Sequence, residues 1–288
     1  MSAPHHLLEL SGLSKTWVER VFQRATGLQA SQKPLEGRSV LALFPDTSIR
    51  TRITFELGVS QLGGNVVRFP PETLERKEDL RDLAAYLANW IDLAIIRHPD
   101  FTLLQRFARH APFPVINAMT RRNHPCEILS DLYGYSRLRT DWRTARYLFV
   151  GAQGNICDTW MEAANLLGLD MTQSCLPEFR SPITGPTIRF DPEIERALRE
   201  ADIVLTDGLL PEMENEAYLG TYRITPERMA TAKPGALCNP CPPFTRGGEV
   251  SEDLVESPHF IGYRFKASLL KVQQAIMLEC LEAQSSKD

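Results

Sequence analysis

Residues 43–64 read LFPDTSIRTRITFELGVSQLGG, and their apolar pattern changes period within a few positions. Phe55, Val59 and Leu62 recur at steps of four and three, as the buried face of a helix requires, and Gly63 with Gly64 supplies the stop. Upstream, SVLALF (residues 39–44) is a short continuous apolar run with the composition of a buried strand. The order is therefore strand, polar turn, helix. Ser48 to Arg52 then fall at a helix N-terminus, where free N–H groups and the helix dipole already make the potential positive. Arg50 and Arg52 are unfavourable there unless something negative offsets them. One solution is a bound anion: Ser48 and Thr51 add hydroxyl donors, Arg50 offers a planar fork, and phosphate or carboxylate at a helix N-terminus is a recurrent arrangement. The other is that both arginines turn outward, to solvent or to carboxylates such as Glu56.

The same alternation runs through the chain. SVLALF, NVVRF, LAIIRH and PVINAM in the first half, and RYLFVG, MTQSCL, DIVLTD, GALCNP and HFIGYRF in the second, are β-rich runs separated by helical patterns. That is the signature of a parallel α/β architecture. A polar, basic stretch between Leu132 and Arg146 marks a boundary. The expected fold class is α/β, with two doubly wound parallel-sheet domains over residues 1–135 and 136–266. A C-terminal helix, residues 267–288, is apolar at helical spacing over 267–283 and returns to the first domain. Ligands of such sheets bind at the carboxyl ends of strands. The residues there are Arg97 and His98 after LAIIRH, His124 and Glu127 after PVINAM, Asn155 after RYLFVG, Asp207 after DIVLTD, and the proline-rich turn of GALCNPCPP. Any one of these reads as a solvated loop residue. Their recurrence at the same end of successive strands marks a candidate site.

Composition narrows the function. A chain of 288 residues, 43% hydrophobic, suffices for one large or two ordinary domains. A net charge of −4 leaves no basic surplus for nucleic acid, so small ligands are the expected partners. No apolar run approaches the ~18 residues that span a bilayer. MSAPHHLLEL lacks a signal peptide's charged start and long apolar stretch, so no membrane association and a cytoplasmic location are expected. The six cysteines do not make a disulfide scaffold in a chain of this size and are expected as thiols. Cys238 and Cys241 have the spacing of a redox pair or half a zinc site, but no second pair completes it; no metal and no cofactor are expected. VGAQGN lacks the full pattern of a dinucleotide-binding loop.

SIRTR, RHP and HPCE, in this order and with these gaps, resemble the aspartate/ornithine carbamoyltransferase family. The resemblance covers nearly the whole chain. VGAQGN looks like the family's glycine-asparagine turn, LTDG its acceptor-side strand end, and AKPGALCNPCPP followed by GGEVSEDLVESP its late proline loop. It implies a first domain for carbamoyl phosphate, a second for the amine acceptor, and a homotrimer with sites shared between subunits. By that resemblance Ser48, Arg50 and Thr51 would hold the phosphate, with Ile49 between them. Arg97 and His124 would polarise the carbamoyl carbonyl, with help from Thr51, while Glu127 and Cys241 complete the donor site. Asn155 and Asp207 match the ornithine branch, where they would meet the acceptor's carboxylate and α-ammonium. Arg76 or Lys77, in LERKED, falls where the aspartate branch uses a lysine reaching into the neighbouring subunit; an ordinary solvated charge cluster is the alternative.

Five departures from the family pattern stand out. GLLPEM follows Asp207 in place of a serine-methionine-glycine loop, so Pro211 brings no hydroxyl. Asn239, Pro240, Cys241 and Pro242 replace a histidine-cysteine-leucine-proline loop. Leu269 stands where an arginine is expected, Ile49 where a threonine is, and Glu127 where a glutamine is. A carboxylate at 127 can accept a hydrogen bond from the carbamoyl amide but repels a phosphate dianion. Three readings follow: a carbamoyltransferase acting on an ornithine-like amine; a catalytically silent member with a regulatory or assembly role; and a transferase whose Glu127 pairs with a cationic donor.

Overall fold

A computed structural model describes residues 6–285, so the first five residues of the N-terminal stretch and residues 286–288 of the C-terminal segment lie outside the described residues. The chain divides into two compact units, Met1–Gly134 with Lys266–Asp288, and Tyr135–Phe265.

The first unit runs α1 (Lys15–Gly27), β1 (Ser39–Leu43), α2 (Arg50–Gln61), β2 (Asn65–Phe69), α3 (Leu80–Leu87), β3 (Leu93–Arg97), α4 (Phe101–His110), β4 (Val115–Met119) and α5 (Pro125–Leu138), the last continuing into the second unit. Its sheet is parallel with strand order β2-β1-β3-β4. The apolar runs of β1, β3 and β4 are buried as continuous runs because helices cover a parallel sheet, whereas the edge strand β2 is mostly exposed. From β1 the chain steps outward to β2 and then returns across to β3. The gap between β1 and β3 is therefore the topological switch point, where a crevice forms outside the carboxyl ends. In α2, Phe55 and Val59 are buried as the spacing predicts, and Gly63 at φ +86° turns the chain out of the helix.

The second unit runs β5 (Arg146–Val150), α6 (Asn155–Leu167), β6 (Asp170–Ser174), β7 (Ile188–Phe190), α7 (Ile194–Arg199), β8 (Ile203–Thr206), α8 (Glu216–Tyr222), α9 (Pro226–Met229) and β9 (Leu237–Pro240). Its parallel sheet has the order β7-β6-β5-β8-β9, with the switch between β5 and β8. One expectation is corrected here, and one strand is added. HFIGYRF, residues 259–265, forms no strand: Phe260 makes one isolated bridge to Cys238, Gly262 turns the chain at φ +86°, and Tyr263–Ala267 is a 3-10 segment. The outer strand is instead β7, whose three residues, hemmed in by TGPT and DP, are too few to show a period.

The C-terminal helix α10 (Ser268–Ser285) belongs to the first unit and packs on α1, α2 and α5. Buried Glu279 receives Arg20 at 3.0 Å and Arg24 at 2.9 Å from α1. Gln274 donates to the carbonyl of Gly58 at 3.2 Å, and a Cβ at Gly58 would stand 3.3 Å from Gln274 Cγ, so glycine permits this close crossing of α2 and α10.

Candidate active site

In the first unit both sides of the switch point deliver polar side chains. After β1 the turn buries Ser48 and, one helical position into α2, Thr51, while Arg50 and Ile49 are exposed. No side chain caps α2, since Ile49 occupies the N-cap position and brings no acceptor, so its first-turn N–H groups have no side-chain partner at the cap, and exposed Arg50 is the first residue of the helix. The two arginines of the opening stretch part company. Arg52 bonds Glu56 at 2.9 Å and lies 3.6 Å from Asp46, so it follows the outward reading, and only Arg50 remains for an anion. After β3, half-buried Arg97 donates to Ser48 Oγ at 3.3 Å. Burial lowers its pKa without removing its charge.

His124 stands just before α5, in a loop held by buried amides and a hydroxyl. Asn117 donates to Asn123 Oδ1 at 2.6 Å, Thr120 donates to the same oxygen at 2.9 Å, and Asn123 donates to the carbonyl of Leu8 at 3.1 Å. The imidazole's pKa is lowered to about 4, mainly by burial; Glu127 pulls it upward, and Arg97 and Lys266 push it down. His124 is therefore neutral at neutral pH, with a ring N–H to give rather than a charge.

Glu127 is buried on the first turn of α5 and is paired within the chain. Lys266 Nζ lies 2.7 Å from its Oε1 and also 2.7 Å from Asp131 Oδ1, one turn further along α5. Burial opposes ionisation of Glu127, yet the charge and hydrogen bond of Lys266, with the charge of Arg50, hold its pKa below the usual carboxylate value. The charge of Glu127 is thus compensated from within the chain. Leu269, at the position expected to carry an arginine, is buried, and a cation paired with Glu127 is supplied near this end of α10 by Lys266. Arg76 and Lys77 lie exposed between the 3-10 segment Pro71–Glu75 and α3, and no contact ties them to Ser48, Arg97 or His124 among the described residues.

In the second unit Gly151, at φ +145°, follows β5, Asn155 opens α6, and Asp207 follows β8 on the other side of that sheet's switch point. Asp207 raises the pKa of Cys157 on α6 and of Glu249, both of which are driven up first by burial. Cys241, just past β9, donates its N–H to the Thr206 carbonyl at 2.9 Å. All six cysteines are buried. Burial drives the Cys238 thiol above its ordinary range, against a reactive thiolate in the CNPC pair. Among the described residues no cluster of side chains could hold a metal ion, and no helix is long and apolar enough to cross a membrane.

Sequence reasoning did not find Lys266, Asp131 or the Asn117–Thr120–Asn123 support. Glu127 and Asp131 four apart on one helix face do demand a cation once buried. The sequence offers 32 lysines and arginines for that role, and the one used is 139 positions from Glu127.

The model of the aspartate/ornithine carbamoyltransferase carbamoyl-P binding domain matches residues 5–137, and that of the Asp/Orn binding domain residues 144–280. The chain is 32% identical to an ornithine carbamoyltransferase of Azoarcus sp. (strain BH72), covering 96% of each chain. It is 33% identical to one of Geobacter metallireducens, over 96% of this chain and 99% of that one. The solved ornithine carbamoyltransferase from Burkholderia thailandensis E264 superposes with a TM-score of 0.89 at 28% identity, over 98% of this chain and 100% of that chain. Matched over both units, this chain belongs to the aspartate/ornithine carbamoyltransferase family.

Proposed function

We propose that this chain is a carbamoyltransferase that moves the carbamoyl group of carbamoyl phosphate to the amine of an ornithine-like amino acid and releases phosphate. The observation that carries this reading is the grouping of Arg97, Ser48 and a neutral, buried His124 at the strand ends of the first unit, beside the uncapped start of α2. The first unit, completed by Lys266 and α10, serves the donor, and the second unit serves the acceptor. Ser48, Arg50, Thr51 and the backbone N–H of Ile49 take the phosphate; Arg97, His124 and Thr51 face the carbonyl oxygen; Glu127 accepts from the amide. Asn155 and Asp207 take the acceptor's carboxylate and α-ammonium, a pairing suited to a zwitterion.

The amine nitrogen attacks the carbonyl carbon, and negative charge grows on the carbonyl oxygen. The carbon–oxygen bond to phosphate then breaks, phosphate leaves with the electron pair, and the attacking nitrogen loses a proton. Fixed donors aimed at the developing oxyanion are the largest expected term, worth about 3–4 kcal/mol for each donor removed. A neutral imidazole suits that task, because it donates without adding a proton that must later be lost.

The working form is a homotrimer in the cytoplasm, with Arg76 or Lys77 offered to a neighbouring copy. An apolar stripe of Ile49, Ile53 and Leu57 along the exposed side of α2 supports self-association. A cationic donor is not needed to explain Glu127, because Lys266 already supplies its cation. The silent-member reading is kept alive by buried Leu269. Phosphate release from carbamoyl phosphate, measured across ornithine, its shorter and longer homologues, plain diamines and aspartate, decides between them. Release that depends on an α-amino diamine, and is absent with aspartate, is expected. No release with any amine would overturn the enzyme reading.

A further inference from the structure

We infer that Lys266 is a positioning residue of the donor site, holding Glu127 oriented and charge-compensated so that it accepts the donor's amide without repelling its phosphate. This rests on the donor reading above. Lys266 Nζ meets Glu127 Oε1 at 2.7 Å and the two oxygens of Asp131 at 2.7 and 2.8 Å, and both carboxylates are buried. An ammonium with three rotatable donors can serve two carboxylates that converge from one helix face, and binding through Oε1 leaves Oε2 to the ligand. Lys266 lies in the 3-10 segment that leads into α10, so the same contact ties the start of α10 to the first turns of α5.

The groups facing Glu127 are His124 and Asp131 on its own side, Arg50 from α2 and Lys266 from the α10 side, with the Cys126 thiol beside it; Arg97 acts on His124. Of these, only Lys266 both bonds Glu127 and carries a positive charge. Its removal would leave two buried carboxylates one turn apart, and burial would then raise the pKa of Glu127 toward neutrality. Glu127 would be either ionised and repelling phosphate, or protonated and no longer an acceptor-only group.

The test is calorimetric affinity for carbamoyl phosphate over a pH series in wild type, Lys266→Met and Lys266→Arg. Lys266→Met should bind about tenfold more weakly than wild type near pH 8, with the gap closing on acidification, while Lys266→Arg stays close to wild type. If Lys266→Met does not fold, Asp131→Asn/Lys266→Met removes one buried charge, still leaves Glu127 uncompensated, and should show the same slope. Glu127→Gln/Lys266→Met should lose the slope. A role confined to stability would lower the melting temperature of Lys266→Met with no change in the pH profile, and that result overturns the inference. Wild type that fails to bind carbamoyl phosphate at any pH would instead overturn the donor reading itself.

Discussion

His124 is an imidazole whose protonation is set by what surrounds it, and this has a thermodynamic consequence apart from catalysis. Its folded-state pKa of about 4 lies below the unfolded value near 6.5. Above pH 6.5 both states are neutral and nothing is at stake. As pH falls, the unfolded chain takes up a proton that the folded chain refuses, so stability drops progressively until the folded pKa is reached. Glu127 acts in a separate window: its folded pKa is depressed, so its contribution is present above the unfolded carboxylate value and is lost only as pH falls through the lower folded one. Between about pH 6.5 and 4.5 the histidine should therefore dominate of these two. His124→Gln should narrow the wild-type advantage, or widen the variant's, by about 2–3 kcal/mol between pH 7 and 4.5, measured by urea unfolding at the two pH values. An unchanged difference would mean that His124 is open to solvent protons. At this scale the sequence revealed the polar residues that follow strands, because the position after a buried run in a parallel sheet is constrained. It hid Lys266, because an ion pair between residues 139 apart has no local pattern.

Elements were readable wherever a period had room to repeat. The face of α2 and the runs of β1, β3, β4, β5 and β8 are set by burial, which leaves its mark on composition. A three-residue strand such as β7 carries no period, and HFIGYRF carries one that Gly262 interrupts. For α10 the apolar spacing announced a helix, but polar side chains also fix its seat. Glu279 is buried and takes bonds from Arg20 and Arg24 of α1, while those arginines keep partial contact with water. Glu279→Ala should cost about 1.5–3 kcal/mol, toward the lower part of the range for charged hydrogen bonds because the released arginines can rehydrate. Denaturant unfolding should show the loss, and the affinity for carbamoyl phosphate at 25 °C should stay at the wild-type value. A fall in affinity with no fall in stability would mean that Glu279 acts on the donor site.

For the molecule as a whole, the informative surface is the side of α2 that the core does not use. Phe55 and Val59 face inward, whereas Ile49, Ile53 and Leu57, spaced by four, are 65%, 50% and 50% exposed and form one continuous stripe. On the edge strand β2, Val67 and Phe69 are exposed as well, so this unit presents two apolar features where an isolated chain would favour charge. Single exposed apolar side chains are ordinary; neighbouring ones along a helix mark a surface that is covered in use. A second copy of the chain is the expected cover, since the family resemblance implies a trimer. Sedimentation equilibrium should then give about three times the chain mass of 32.5 kDa for wild type. Ile53→Arg/Leu57→Arg should shift the distribution to single chains, because burying two unpaired guanidinium groups at each interface costs several kcal/mol. The substitutions leave the inward face of α2 untouched, so far-ultraviolet circular dichroism should be unchanged. Wild type sedimenting as a monomer would remove the trimer from the proposed function, and a double variant that remains trimeric would move the interface away from this stripe.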